Sequence, residues 1–357
     1  MQRTVRTVLA AVVCVSGLLA ATPALATTHK TWVVTPNQSI QAAVDEAKPG
    51  DTVLLTRGTF KQSVTITTND LTLAGAGSGG SGSVLRAPKT IPKGICKKYS
   101  GGAGVCVLGK ADQNGNPIKR TKGVTVTGIR FVGWNIGLFA AGTKDLTLTD
   151  NAAADNAEYG LARFDSIGGV VRYNTVTGGG EAGIYLGDSA DAGAKVQHNV
   201  VSQAQFGIFV RHSSGIELEN NQAYGNCQGI LVLDDGETGG VSNITVKNNV
   251  VSSNSKACPA TQDGPALQGG GILLLGATDS EVSWNIVRNN QGAEVNSGGI
   301  LVLSAIPFGG AADPSNDSVH DNSSYGNQPA DLSWDGTGTG NTFTDNHCGT
   351  SVPSGNC

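Results

Sequence analysis

Four residues stand five positions behind a glycine that opens an apolar-x-apolar triplet: Asp165 behind Gly160, Asp188 behind Gly183, His212 behind Gly207 and Asp234 behind Gly229. Two positions before the same glycines come Glu158, Glu181, Gln205 and Cys227, and Arg211 lies four after its glycine. Carboxylates roughly 5 Å apart suit a retaining glycosidase, and those roughly 6.5 to 9.5 Å apart an inverting one. A histidine among acids moves protons near neutral pH. By another route the acids hold Ca²⁺ against a uronate while Arg211 or Lys195 removes the proton beside its carboxylate, as in elimination or epimerisation. Outward rings of Tyr185, Phe209 and Phe164 offer stacking surfaces for sugars. All of this requires that the glycines, evenly spaced in sequence, also stack in space.

The spacing supports stacking. Gly137, Gly160, Gly183, Gly207 and Gly229 are separated by 23, 23, 24 and 22 residues, and the same triplet returns at Gly271 and Gly299. A second mark keeps the same time: asparagine at 151, 174, 199, 221, 249, 285, 322 and 346, often with another five residues later, at 156, 226, 254, 290 and 327. A period near 22 with short alternating segments is one turn of a coil whose strands pair in parallel with those of the next. Asparagine amides can then bond one another about 4.8 Å apart, coil to coil. Strand alternation sends Leu138, Leu161, Ile184, Ile208, Ile230, Ile272 and Ile300 inward, and Phe139, Ala162, Tyr185, Phe209, Leu231, Leu273 and Leu301 outward.

Composition points the same way. Fifty-one glycines with 15% charged and 5% aromatic residues fit many short strands and tight turns, and fit neither disorder nor a helical protein. Arg3 and Arg6, an apolar run from Val8 to Ala21 and Ala24-Leu25-Ala26 read as a secretory signal over 1–26, leaving 27–357 as the folded chain, exported and soluble. Six cysteines remain, expected as neighbour pairs: Cys96 with Cys106, Cys227 with Cys258, Cys348 with Cys357. The formal charge of −4 (24 basic, 28 acidic) becomes −6 without the leader's two arginines, which speaks against nucleic-acid or anionic-membrane partners.

Between Asn37 and Lys48, Ile40, Ala43 or Val44, and Ala47 fall on one helical face, followed by Pro49-Gly50. A short helix there would cap the first coil, with coils running from Val53 to about Phe343. The stretch SIQAAVDEAKPGDTVLLTRGTF and the coils after it resemble the right-handed parallel β-helix proteins of the pectin-lyase-like superfamily, including secreted repeat proteins related to the nitrous-oxide-reductase accessory family. The resemblance implies an all-β, single-stranded right-handed solenoid with a short N-terminal capping helix. It does not choose an activity, because the superfamily includes lyases, hydrolases, epimerases, esterases and proteins with none.

Each candidate has a plain structural alternative. Asp-Ser recurs at 165–166 and 188–189, where side chains bonding their own turn would also place it. Outward aromatics can be a hydrophobic stack beneath a loop. Arg163 falls on an inward position, so either the strand bulges or the guanidinium pairs with Asp165, Asp188 or Glu158. Two insertions break the rhythm: 88–122, a basic loop with eight Lys and Arg, and 254–269, expected to cover the outward leucines. The lack of any methionine beyond Met1 and the scattered histidines speak against a soft copper site, which leaves a copper-accessory role as a discounted third reading. The expectation is a monomeric carbohydrate-active protein, a polysaccharide lyase or glycoside hydrolase, working on a polysaccharide or cell-surface glycan along the outer groove. Asp188 and Asp234 are its acid and base or Ca²⁺ ligands, with Asp165 beside them. His212 carries protons, Arg211 meets a substrate carboxylate, and Glu158, Glu181, Tyr185, Phe209 and Lys195 contact substrate. The alternative is a non-catalytic solenoid that binds glycan or another surface.

Overall fold

The computed structural model describes residues 29–357 except 92, 114, 116, 238 and 261–263. The leader assigned to 1–26 lies outside them. The chain winds into a three-sided solenoid whose faces are parallel sheets of 12, 11 and 11 strands. Each coil gives one strand to each face; the one ending at Ser189, for example, contributes Val170–Arg172, Thr175–Thr177 and Ala182–Ser189. On the third sheet, Leu161 pairs with Ile184, Ile184 with Ile208 and Ile208 with Ile230. These inward positions are buried in one continuous core. Each such Leu or Ile contributes about 1.5–3 kcal/mol.

The repeat glycines are there because nothing larger fits. A Cβ on Gly137, Gly207 or Gly271 would stand 2.2–2.4 Å from the carbonyl oxygen of the next coil's glycine. The backbones approach too closely for a side chain at this corner.

Asparagines lock the coils together. Asn151 Oδ1 accepts from Ile129 N–H, and from Asn174 through Asn199 and Asn221 to Asn249 each Oδ1 accepts the backbone N–H and the Nδ2 of the asparagine one coil before it. The chain of amides continues through Asn285 and Asn322 to Asn346. A second run links Asn226, Asn254, Asn290 and Asn327. It stops short of Asn156 because the two intervening coils carry Gly179 and Ala204, and the Asn156 Nδ2 is buried without a partner. A third run mixes residue types: Ser280 Oγ accepts from Ile244 N–H, Asp317 Oδ1 from Ser280 N–H and Asn341 Oδ1 from Asp317 N–H.

Helix α1, Ile40–Glu46, caps the first coil, with Ser39 accepting from Ala42 N–H and Ile40 and Val44 buried. The stack exceeds the expected limits at both ends. Thr31–Val34 pairs with Thr52–Leu55 before the helix, and His347–Cys348 and Ser351–Val352 add strands after Phe343. The three disulfides join the expected neighbours.

Arg163 departs from expectation. It keeps regular register between Ala140 and Leu186, without a bulge, at 4% exposure. In place of Asp165, Asp188 or Glu158, its guanidinium meets the Ala192 carbonyl at 3.4 Å, and Nε has no partner. Burial pulls its pKa down to about 10, Arg120 adds to the fall and Asp145 opposes it.

Candidate functional site

The outward residues of the third sheet form a second hydrophobic layer: Phe139, Tyr159, Tyr185, Phe209, Leu231, Leu273 and Leu301 are all buried. Of the 254–269 insertion, Gly264, Pro265 and Leu267 line a cleft together with Leu231, and the segment is held by Cys227–Cys258 and by the backbone pairing of Cys258 with Leu267. The other insertion contributes helix α2, Ile95–Ser100, and the pair Lys110–Ala111 with Pro117–Lys119. Between these covers lies a cleft of about 640 Å³. Tyr159, Phe206, Phe209 and Leu231 line it, with Glu181, Gln205 and Gln228 at one edge and Arg211 and Asp235 at the other.

At the second edge the charges converge. His212, 4% exposed, sets Nδ1 3.2 Å from Asp188 Oδ1 and turns Nε2 to Asp235 Oδ1. Arg211 donates from Nε to Asp235 and also faces Glu237 at 3.8 Å. Burial raises the Tyr185 hydroxyl above its usual pKa, Asp188 adds to that, and Arg211 opposes it. At the first edge Tyr159 is raised by burial and by Glu181, to which its hydroxyl donates. Asp165 is raised by burial and by Asp188, with Arg120 opposing.

A backbone feature gathers the cluster. Asp165, Asp188 and His212 share left-handed φ values of 46°, 55° and 44°, so the strand turns at the same rung in three successive coils. Such a conformation is costly for residues other than glycine and is least so for Asn, Asp and His. The serines behind them form their own short ladder, Ser166 N–H donating to Ser189 Oγ. The turn alternative is therefore present at these rungs, together with the charge cluster.

Several expectations are corrected. Asp234 is not the partner acid: it is buried, and its Oδ1 accepts Gly236 N–H within its own turn. The next residue, Asp235, makes the contacts to Arg211 and His212, because this coil lacks the left-handed turn and delivers its acid one position later. Lys195 lies on the first sheet, beyond the corner, paired with Glu217 at 2.9 Å. Glu158 is engaged by Asn135 Nδ2 at 2.6 Å, and Asn135 also binds the Ser100 carbonyl at the end of α2. Tyr185, 1% exposed, is packed against Tyr159, Phe164 and Phe209 and offers no face to a sugar. Phe209 and Glu181 do line the cleft. Asp165 lines a smaller cavity of about 300 Å³ beside the Lys110–Lys119 hairpin. Gln228, Phe206 and Tyr159 went unnoticed; the only sequence sign of them was their place next to the repeat glycine.

Residues 62–237 match the family described as right handed beta helix region, and residues 189–356 the family described as periplasmic copper-binding protein (NosD). This chain is a right-handed parallel β-helix repeat protein. No curated protein matches it. Among solved structures, this β-helix is similar to the A-module of a mannuronan C-5 epimerase, AlgE4, from Azotobacter vinelandii, at 18% identity over 88% of this chain and 91% of that one, TM-score 0.57. It also resembles DFA-IIIase from Arthrobacter chlorophenolicus A6, solved with DFA-III, at 14% identity over 89% and 83%, TM-score 0.64. An alginate lyase from Paenibacillus sp. str. FPU-7 aligns at 18% identity over 90% and 99%, TM-score 0.51. At such identities the likeness is one of fold.

Copper does not fit the donors present. All six cysteines of the coils are in disulfides, methionine is absent among the described residues, and no three His, Cys, Asp or Glu side chains there are placed to hold a metal ion. Asp188 points to His212 and Asp235 to His212 and Arg211, while Asp234 bonds its own turn and Glu158 bonds Asn135, so these acids do not converge on a common centre for Ca²⁺.

Proposed function

We propose that this β-helix is an exported carbohydrate-active enzyme that binds a sugar chain in the cleft of its third sheet. The observation that carries the reading is the Asp188–His212–Asp235–Arg211 cluster at one lip of a cleft floored by Phe206, Phe209 and Leu231. Asp188 and Asp235 stay partly open to solvent while His212 is buried between them. The imidazole fixes both carboxylates and is a proton reservoir for whichever one transfers a proton to the glycosidic oxygen or takes one from water. Arg211 supplies positive charge where an oxyanion or a substrate carboxylate would lie. Disulfides and a pattern of export suit a periplasmic or extracellular substrate. Hydrolysis and elimination are both compatible with two carboxylates and an arginine.

The test is a panel of neutral and uronic polysaccharides and their oligosaccharides, following new reducing ends and absorbance near 235 nm together. Asp235→Asn should lower kcat by about 10²-fold or more if the residue transfers a proton. Asp234→Ala should leave kcat in place and lower stability by about 1 kcal/mol through its lost turn bond. A second reading, a glycan-binding solenoid without turnover, is favoured by the same pairing, since each acid already has a partner. Binding without products from any member of the panel would select it.

A further inference from the structure

We infer that the cleft is a dead end that takes a short oligosaccharide or the terminus of a chain, and that Gln228 and Asn296 read the hydroxyls of the terminal sugar. The inference rests on the carbohydrate reading above and narrows it. An uninterrupted solenoid sheet is an open trough along which a polymer could lie across every coil. Here both ends are closed. Toward the C-terminus, Leu273 and Leu301 are 0% and 2% exposed. Pro265 and Leu267 of the disulfide-held insertion and Phe308 from the opposite edge stand at the cleft on that side. Toward the N-terminus, the disulfide loop carrying α2 and the Lys110–Lys119 hairpin cover the sheet. Asn135 ties α2 to Glu158 on one edge, and Arg120 reaches the Asp165 carbonyl on the other. From the coil of Tyr159 to that of Leu275 is four steps, and Asn296 stands one coil further, a span of about 19 to 24 Å at about 4.8 Å each. A volume of about 640 Å³ falls within the roughly 300–1,000 Å³ of pockets that enclose small ligands.

The second observation is a pair of buried amides with unmet hydrogen bonds. Gln228 is 1% exposed and Asn296 5%, both line the cleft, and Gln228 Nε2 and Asn296 Oδ1 have no partner. One is a donor and the other an acceptor. A sugar hydroxyl accepts from the first and donates to the second, which no apolar or purely anionic ligand does. Gly270 lies between them: a Cβ there would stand 2.9 Å from Gln228 Cγ, 2.9 Å from the Asn296 carbonyl oxygen and 2.8 Å from Leu273 Cδ1. Buried groups left unmet destabilise a free protein, and these two belong to residues of the cleft wall, where a ligand hydroxyl would complete them.

The experiment takes the disulfide-intact protein against oligosaccharides of increasing length and their parent polymers, with binding read by calorimetry and products sized over time. Gln228→Leu and Asn296→Leu are measured alongside for affinity and melting temperature. Support is a rate that falls in inverse proportion to chain length at equal sugar mass, release of short terminal products, and an affinity loss of about tenfold or more in each variant with an unchanged or higher melting temperature. Early appearance of mid-sized internal fragments, with polymer and oligomer cut equally fast per bond, overturns the dead end and leaves the carbohydrate reading standing. Oligosaccharide binding unaffected by either substitution overturns the roles of Gln228 and Asn296. If no sugar of any length binds or reacts, the carbohydrate reading itself fails, and this inference with it.

Discussion

Replacing Asp317 with asparagine should stabilise the protein at neutral and alkaline pH and do little at acid pH. Asp317, 1% exposed, sits in the mixed ladder, where its Oδ1 accepts Ser280 N–H and its Oδ2 is buried with no partner. In the asparagine ladders the second polar atom is an amide that donates to the next coil; here it is an oxygen that cannot donate unless protonated. Burial accordingly raises the carboxyl from 3.8 to about 7, against the Ser280 hydrogen bond that lowers it, with Asp279 adding to the rise. A folded pKa above the unfolded one means that the group's stabilising contribution is complete below about pH 4 and is lost as pH climbs to about 7. Three units at about 1.4 kcal/mol each set the loss at about 4 kcal/mol or less. At about 2 cal/mol/K per residue that corresponds to about 6 °C if the coils melt as one unit. The amide introduced by Asp317→Asn would keep the Oδ1 contact and present its Nδ2 toward Asn341 Oδ1, which already accepts from the backbone here. Melting curves of both proteins from pH 4 to 8 decide the matter: their difference should be near zero at pH 4 and grow through pH 7. A constant difference, or an asparagine variant less stable at pH 8, would refute the assignment of the buried oxygen as the cause.

Three further outcomes follow from the packing. Asn221→Ala removes one rung, leaving the Asn199 amide without its acceptor and the Val196 carbonyl without its donor, and should cost about 2–4 kcal/mol in chemical denaturation. Gly207→Ala forces a Cβ to 2.4 Å from the Gly229 carbonyl and should destabilise by about 1–3 kcal/mol or more, read in the same assay. Lys195→Ala should leave any turnover unchanged within error, since Lys195 is 51% exposed on another face and its ammonium is paired with Glu217.

The fold was legible in the sequence because its two marks each have one physical cause. Glycine recurs where backbones nearly touch, and asparagine where one amide must bond two neighbours, so coil number, register and inward residues could all be counted from Gly137 and Asn151 onward. Disulfide pairing was legible because near neighbours on one loop are the pairs that an already wound chain brings together. The site was only half legible. His212, Arg211 and Asp188 follow from coil alignment, but Asp235 does not, since alignment presumes that every coil turns at the same rung and this one lacks the left-handed turn there. Tyr185 failed differently: alternation tells that a side chain leaves the core, and says nothing about whether another layer lies above it. Lys195 failed because a corner of a few residues separates faces that sequence distance cannot distinguish. Gln228 and Asn296 carry no motif at all, and what makes them notable is the hydrogen bonds they lack.

Every amide of the main ladder donates forward to the asparagine of the next coil and back to a carbonyl of the coil before, so each rung presents the same donors and acceptor to the coils on either side. A whole coil can therefore be duplicated or lost with every remaining rung still matched, as links are added to a chain without recutting their neighbours. The covers over the third sheet are single insertions outside that periodicity. Coil copying between the two covers would lengthen the cleft in steps of one strand spacing while Gln228, Asn296 and the His212 cluster kept their local surroundings. The architecture thus separates how long a ligand the protein holds from what is done to it, and allows the first to vary by recombination alone.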